Sequence, residues 1–173
     1  KMAVTVDLRE VENLRKKIEA IPDCHELMEW IEKEMIIWLN KLLSSIAGLE
    51  IIMPFLEIPT DLASVIEWIT SFVEKYLALY YKTVMGIAEI VNAYAQLLTA
   101  IMAKLQQLAN LSCGAIMMPT LPTIDIPEPP SMPPSAWAKL PPSAKGDIDS
   151  VFSKIRAVNE QVKAVNEMVK VIN

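Results

Sequence analysis

Eight apolar residues toward the end of the chain, Ile148, Val151, Ile155, Val158, Val162, Val165, Val169 and Ile172, follow one another in steps of 3 and 4 without exception. That alternation places all eight on one stripe of a helix and is the spacing of a coiled-coil seam. The local repeat AVNEQVK at 157–163 against AVNEMVK at 164–170 makes the heptad explicit. Every core position is β-branched, a choice that shifts parallel coiled coils away from dimers toward trimers and higher states. The sequence therefore predicts an intermolecular seam. Asn159, Asn166 and Asn173 flank it as groups able to hydrogen-bond between chains.

A second, longer seam precedes it. Leu62, Ile66, Ile69, Val73, Tyr76, Tyr80, Val84, Ile87, Val91, Tyr94, Leu98, Ile101, Leu105 and Leu108 step by 4 and 3 with a single 4, 4 pair at Tyr80, Val84 and Ile87. This pattern predicts one helix from a cap at Thr60 or Asp61 to about Leu111, with a stutter beside Gly86. A further strip, Val65, Phe72, Leu79, Gly86, Ala93 and Ala100, recurs every seven residues, so the helix is apolar on most sides. Such a helix would run for ~70 Å, beyond the diameter of a domain of this length. It should either break at Gly86 or be covered by neighbouring chains, and the second is the expectation. Ile87, Val91, Tyr94, Leu98, Ile101 and Leu105, with the eight residues of the C-terminal seam, form the expected oligomer interface.

Two shorter helices come first. Leu8, Val11, Ile18 and Ile21 share a face in a helix that Pro22 ends, since proline lacks the amide donor. Asp23 followed three residues on by Glu26 has the spacing of a capping box for the next helix. Its stripe is Leu27, Ile31, Met35, Trp38, Leu42, Ile46 and Leu49, before Gly48, Pro54 and Pro59 mark a connector.

Nine of the twelve prolines lie between Pro119 and Pro142. A proline-dense stretch is extended and semi-rigid. This one also carries Ile116, Met117, Met118, Leu121, Ile124, Ile126, Met132, Trp137 and Leu140, too apolar to be left in water, so an ordered arm laid along a helical bundle is expected. A ligand for an SH3 or WW module is disfavoured because no basic residue flags the proline core in the usual way. Four regions result: an N-terminal helical region at 1–59, a long central helix at 60–112, a proline-rich arm at 113–145 and a coiled-coil helix at 146–173. The predicted class is all-α, an elongated helical bundle.

Composition narrows the function. The 173 residues carry 16 Lys plus Arg against 21 Asp plus Glu, and this negative balance argues against nucleic acid, whose binding relies on cations neutralising phosphates. Residues 23–59 hold Asp23, Glu26, Glu29, Glu32, Glu34, Glu50 and Glu57 against Lys33 and Lys41 only. No secretory signal is read after Lys1 and Met2. The most apolar uncharged run, Ile90 to Ala103, falls short of the ~20 residues that span a bilayer, so no conventional transmembrane helix is expected.

The one histidine, His25, sits beside Cys24 without the paired spacing of a zinc site, so neither a metal nor a catalytic residue is predicted. Four isolated glycines build no phosphate loop, and no cofactor is expected. Cys24 and Cys113, far apart in the chain, are expected to be free buried thiols in a reducing compartment. The functional expectation is a non-enzymatic structural protein. Its partners would be itself, as a trimer or higher, and other components of an assembly in a virus particle or the cytoplasm. A membrane-active helical protein is the alternative.

Overall fold

The computed structural model describes residues 6–44, 49, 52–108, 113 and 117–172, excluding the side chains at 62, 71, 72, 74 and 172. Among these residues the regular structure is helical, without strands. α1 (Leu8–Ala20) starts where the Asp7 carboxylate accepts the Arg9 amide, and ends at Ile21. α2 (Cys24–Trp30) is capped by Asp23, whose Oδ1 accepts the Glu26 amide at 2.9 Å, as the spacing predicted. It continues through a π turn (Ile31–Met35) into α3 (Ile36–Leu43). A 3-10 turn (Met53–Leu56) leads to α4 (Leu62–Glu67), capped by Asp61, then a π segment (Trp68–Val73) and the dominant helix α5 (Glu74–Leu108). The short α6 (Pro134–Trp137) follows the arm, and α7 (Ala144–Ile172) closes the fold.

The long helix passes through Gly86 without a break, and it differs from its expected form in being interrupted earlier, at the π segment. A π turn inserts one extra residue into the helical repeat and so rotates everything before it. Trp68 is thereby turned into the core, 4% exposed, while Ile66 of the expected seam is 57% exposed. From the end of the π segment the seam holds: Val73, Tyr80, Val84, Ile87, Val91, Tyr94, Leu98, Ile101, Leu105 and Leu108 are buried, and Tyr76 is partly buried. In α1, Val11 and Ile18 are buried with Leu14, but Leu8, expected on the same face, lies in the first turn and is exposed. The Leu62, Phe72 and Ile172 side chains, and Ile46, Gly48, Leu111, Ile116 and Asn173, fall outside the described residues.

α5 and α7 pack closely and run parallel. Tyr81 Oη donates to Asp147 Oδ2 at 3.0 Å, and Gln161 Nε2 donates to the Ala95 carbonyl at 3.4 Å; the sequence separation is 66 in both pairs. Two parallel helices joined in sequence need a return run of the same length. A 35-residue helix is about 52 Å long, and the described arm from Met117 to Pro133 covers that distance only if extended at ~3 Å per residue; as helix it would cover about 25 Å. The proline content thus serves the topology.

The remaining ties are local. Lys104, 6% exposed, donates to the Glu19 and Ile21 carbonyls at 3.0 and 2.8 Å, a cation placed on the negative end of α1. Cys24 and Cys113 are joined in a disulfide with Cα atoms 5.7 Å apart, both sulfurs being in buried residues. This corrects the expectation of free thiols: α1 and α2 fold back onto the C-terminal end of α5, which brings together two positions 89 residues apart.

Candidate functional site: a helix seam closed by a proline arm

The residues expected at an oligomer interface lie in the chain's own core. Ile148, Val151, Ile155, Val158, Val162, Val165 and Val169 are each at most 4% exposed within the single chain. Facing α5 supplies Ile87, Val91, Tyr94, Leu98, Ile101 and Leu105, which are likewise buried. One chain therefore provides both sides of the seam. The heptad and β-branching describe a seam with more than two walls, and the third wall is the arm in place of a third helix.

The arm runs antiparallel to both helices, and buries Met118, Leu121, Ile124, Ile126 and Met132. Two asparagines fix its register. Asn166 accepts the Leu121 amide through Oδ1 at 2.9 Å and donates to the Leu121 carbonyl through Nδ2 at 3.0 Å. Asn159 does the same to Ile124, at 2.8 Å in both directions. A carboxamide matches one peptide unit's donor and acceptor together, so each asparagine behaves like a rung of a sheet ladder without a second strand.

The spacing follows from two rises. One heptad of helix advances about 10.5 Å, and three extended residues advance about 10 Å, so asparagines seven apart meet peptide groups three apart. The ladder stops where its chemistry fails. One heptad before Asn159 stands Phe152, and three residues after Ile124 stands Pro127, which has no amide to offer. There α5 takes over: Tyr80 Oη donates to the Pro127 carbonyl at 2.9 Å, while alongside the ladder Tyr94 Oη donates to the Pro122 carbonyl at 2.7 Å. Burial pushes both phenols above their ordinary range, with the Glu128 charge adding to the effect on Tyr80, so both stay protonated donors at neutral pH. Outside the groove, Arg156 pairs with Glu128 at 3.2 Å.

This destination corrects the expectation that Asn159 and Asn166 bond between chains. Replacing both with leucine should release the arm locally: buried peptide groups at Leu121 and Ile124 lose their partners, at about 1–3 kcal/mol each. Hydrogen exchange at those two amides should accelerate by about tenfold or more, while amides in the middle of α5 change less. Equal acceleration everywhere would show that the ladder has no local role.

The remaining sequence candidates do not converge. His25 is exposed, with Nε2 3.5 Å from Glu29 Oε1, which also pairs with Lys33. Its neighbour Cys24 is committed to the disulfide. Among the described residues no group of three His, Cys, Asp or Glu is placed to hold a metal ion. One helical stretch, Lys75–Leu108, is long and apolar enough to cross a membrane, with mean hydropathy 1.4 and half of its apolar window buried in the fold. Glu89 and Lys104, which bound the uncharged run Ile90 to Ala103, hid this at the level of uncharged runs. No family model, curated protein or solved structure matches the chain.

Proposed function

We propose that this chain is a non-enzymatic structural protein that associates with itself and acts as a component of a larger assembly, of the connector, tail, fibre or internal kind that phage-type particles use. The observation that carries this reading is the arm-locked parallel helix pair. An extended segment is threaded between two long helices and held by backbone-directed asparagines, buried tyrosines and a disulfide. Such a body is stiff and presents a fixed surface, as a scaffold must. Because the heptad seam is occupied from within, self-association has to use other surfaces.

Light scattering across micromolar concentrations tests the reading: a mass at least twice 19.4 kDa is expected, and a monomer throughout would overturn self-association. The alternative, a membrane-active helical protein, is favoured by one observation, the apolar stretch Lys75–Leu108. Against it stands the outward flank of that helix, where Lys75, Lys82, Glu89, Asn92, Gln96, Gln106 and Gln107 are exposed. Dye release from lipid vesicles separates the two, since a scaffold leaves vesicles intact.

A further inference from the structure

One end of the molecule carries apolar surface that its own fold leaves open. Among the exposed large apolar side chains, Phe55, Ile58 and Ile66 fall in the short stretch from the 3-10 turn through α4. A cleft of about 310 Å³ opens there, lined by Pro54, Phe55, Pro59, Ser64, Glu67 and Trp68. Its walls are pre-set. Trp68 Nε1 donates to the Phe55 carbonyl at 2.9 Å, and the Phe55 ring stacks on Tyr76 with centroids 4.1 Å apart.

The surroundings are acidic: Glu67 lines the cleft, Glu57 and Asp61 lie within two residues of its Phe55 and Pro59, and Asp125 shares an adjoining cleft with Pro54 and Glu57. All four are exposed, and among the described residues none takes part in an ion pair, whereas Glu12, Glu19, Glu29, Glu34, Glu128, Glu160 and Glu167 all do. The sequence has no Lys or Arg between Lys41 and Lys75, and the Lys75 ammonium lies over the Tyr76 ring, 5.3 Å from its centroid. Asp61 is held below the usual carboxylate range by the Ser64 amide, which keeps its charge in place.

The complementary surface belongs to the same chain. Between α6 and α7 the turn Lys139-Leu-Pro-Pro-Ser-Ala-Lys145 exposes Pro141 and Pro142 between two lysines, neither of which is in an ion pair among the described residues. A rigid proline pair enters an aromatic- and proline-lined cleft at little entropic cost, and flanking cations match an acidic rim. α6 packs against the π segment that carries Trp68, so cleft and turn lie at the same end of the molecule. Two opposite, neighbouring patches on one chain are what a two-fold pairing requires: each copy offers its turn to the other's cleft.

We propose that a second copy of this chain docks at this end, the Lys139–Lys145 turn of each copy seated in the Pro54, Phe55, Pro59 and Trp68 cleft of the other, lysines against Glu57, Asp61 and Glu67. The proposal rests on the self-associating reading above and gives it an interface.

Sedimentation and light scattering of the full chain test it with two charge-reversed variants, Glu57→Lys with Glu67→Lys, and Lys139→Glu with Lys145→Glu. All four positions are exposed, and circular dichroism verifies that each variant is folded. Each variant alone sets like charges across the contact, so its dimer dissociation constant should rise about tenfold or more. An equimolar mixture should restore association, because both contacts of the mixed pair are again opposite in sign. Wild-type association should also weaken between about 0.05 and 0.5 M salt. A wild-type monomer throughout would overturn both the interface and the self-associating reading. A wild-type oligomer that ignores both charge reversals and salt, or variants that weaken without rescue on mixing, would overturn this interface and leave self-association standing.

Discussion

Replacing Val158 and Val165 together with aspartate should unfold the chain. Both side chains sit in the seam, at 3% and 0% exposure, against α5 and under the arm. A carboxylate there has to be buried without a partner or protonated, and either costs several kcal/mol per site. Two such sites approach or exceed the ~5–15 kcal/mol by which a domain of this kind is stable. The expected result is loss of most helical circular dichroism at 25 °C, with no intermediate in which a folded monomer has left an oligomer. Exposed Glu160→Ala and Lys163→Ala, one on either side of the seam position Val162, should stay within about 0.5 kcal/mol of wild type. If the double aspartate variant kept its helicity and only lost mass in light scattering, the seam would belong to a contact between chains instead.

That experiment separates two arrangements the sequence leaves equivalent. The steps from Ile148 to Val169 state which face of the last helix is buried, and each described residue on that face is buried. They do not state what covers it. A heptad seam looks the same whether its partner is another chain or a helix 66 residues earlier, because the pattern records periodicity and not distance. Parallel packing within one chain depends on the return run, and the arm's apolar residues were the available sign that it lay along something.

The asparagines stand out in the sequence as a repeat, but the repeat does not state that their partners are peptide groups of the arm. The signal that would have placed them is a match between two periods, Leu121 to Ile124 in the arm against Asn159 to Asn166 in the helix, which appears only when extended and helical rises are compared. Ile66 shows the opposite failure. Its spacing fits the long seam perfectly well, but the π segment at Trp68–Val73 adds a residue and turns it outward, and a 3.6-residue period carries no mark of that insertion.

The disulfide was the least legible feature, because two cysteines carry no pairing information until the fold brings them together. Its removal has the second largest expected effect. Closing a loop between positions 89 apart restricts the unfolded chain by about 4.5 kcal/mol in the chain-entropy model, and measured losses for native disulfides are about 2–5 kcal/mol. Cys24→Ala with Cys113→Ala should therefore lower the melting temperature by about 5–20 °C for a chain of this length. The loss should centre on the junction of α1 and α2 with the end of α5, where Lys104 holds the Glu19 and Ile21 carbonyls; amides there should exchange faster than those near Tyr80 at the other end of α5. Both cysteines are 4% exposed, so a thiol reductant should leave the bond intact in native buffer and cleave it once urea opens the fold. Two thiols that react with a thiol reagent in the purified native protein, or a double alanine variant with an unchanged melting temperature, would refute the bond's role. An intact bond in protein taken directly from its source would place the chain's maturation in an oxidising environment, since buried structural disulfides form and persist there and are rare where glutathione keeps thiols reduced.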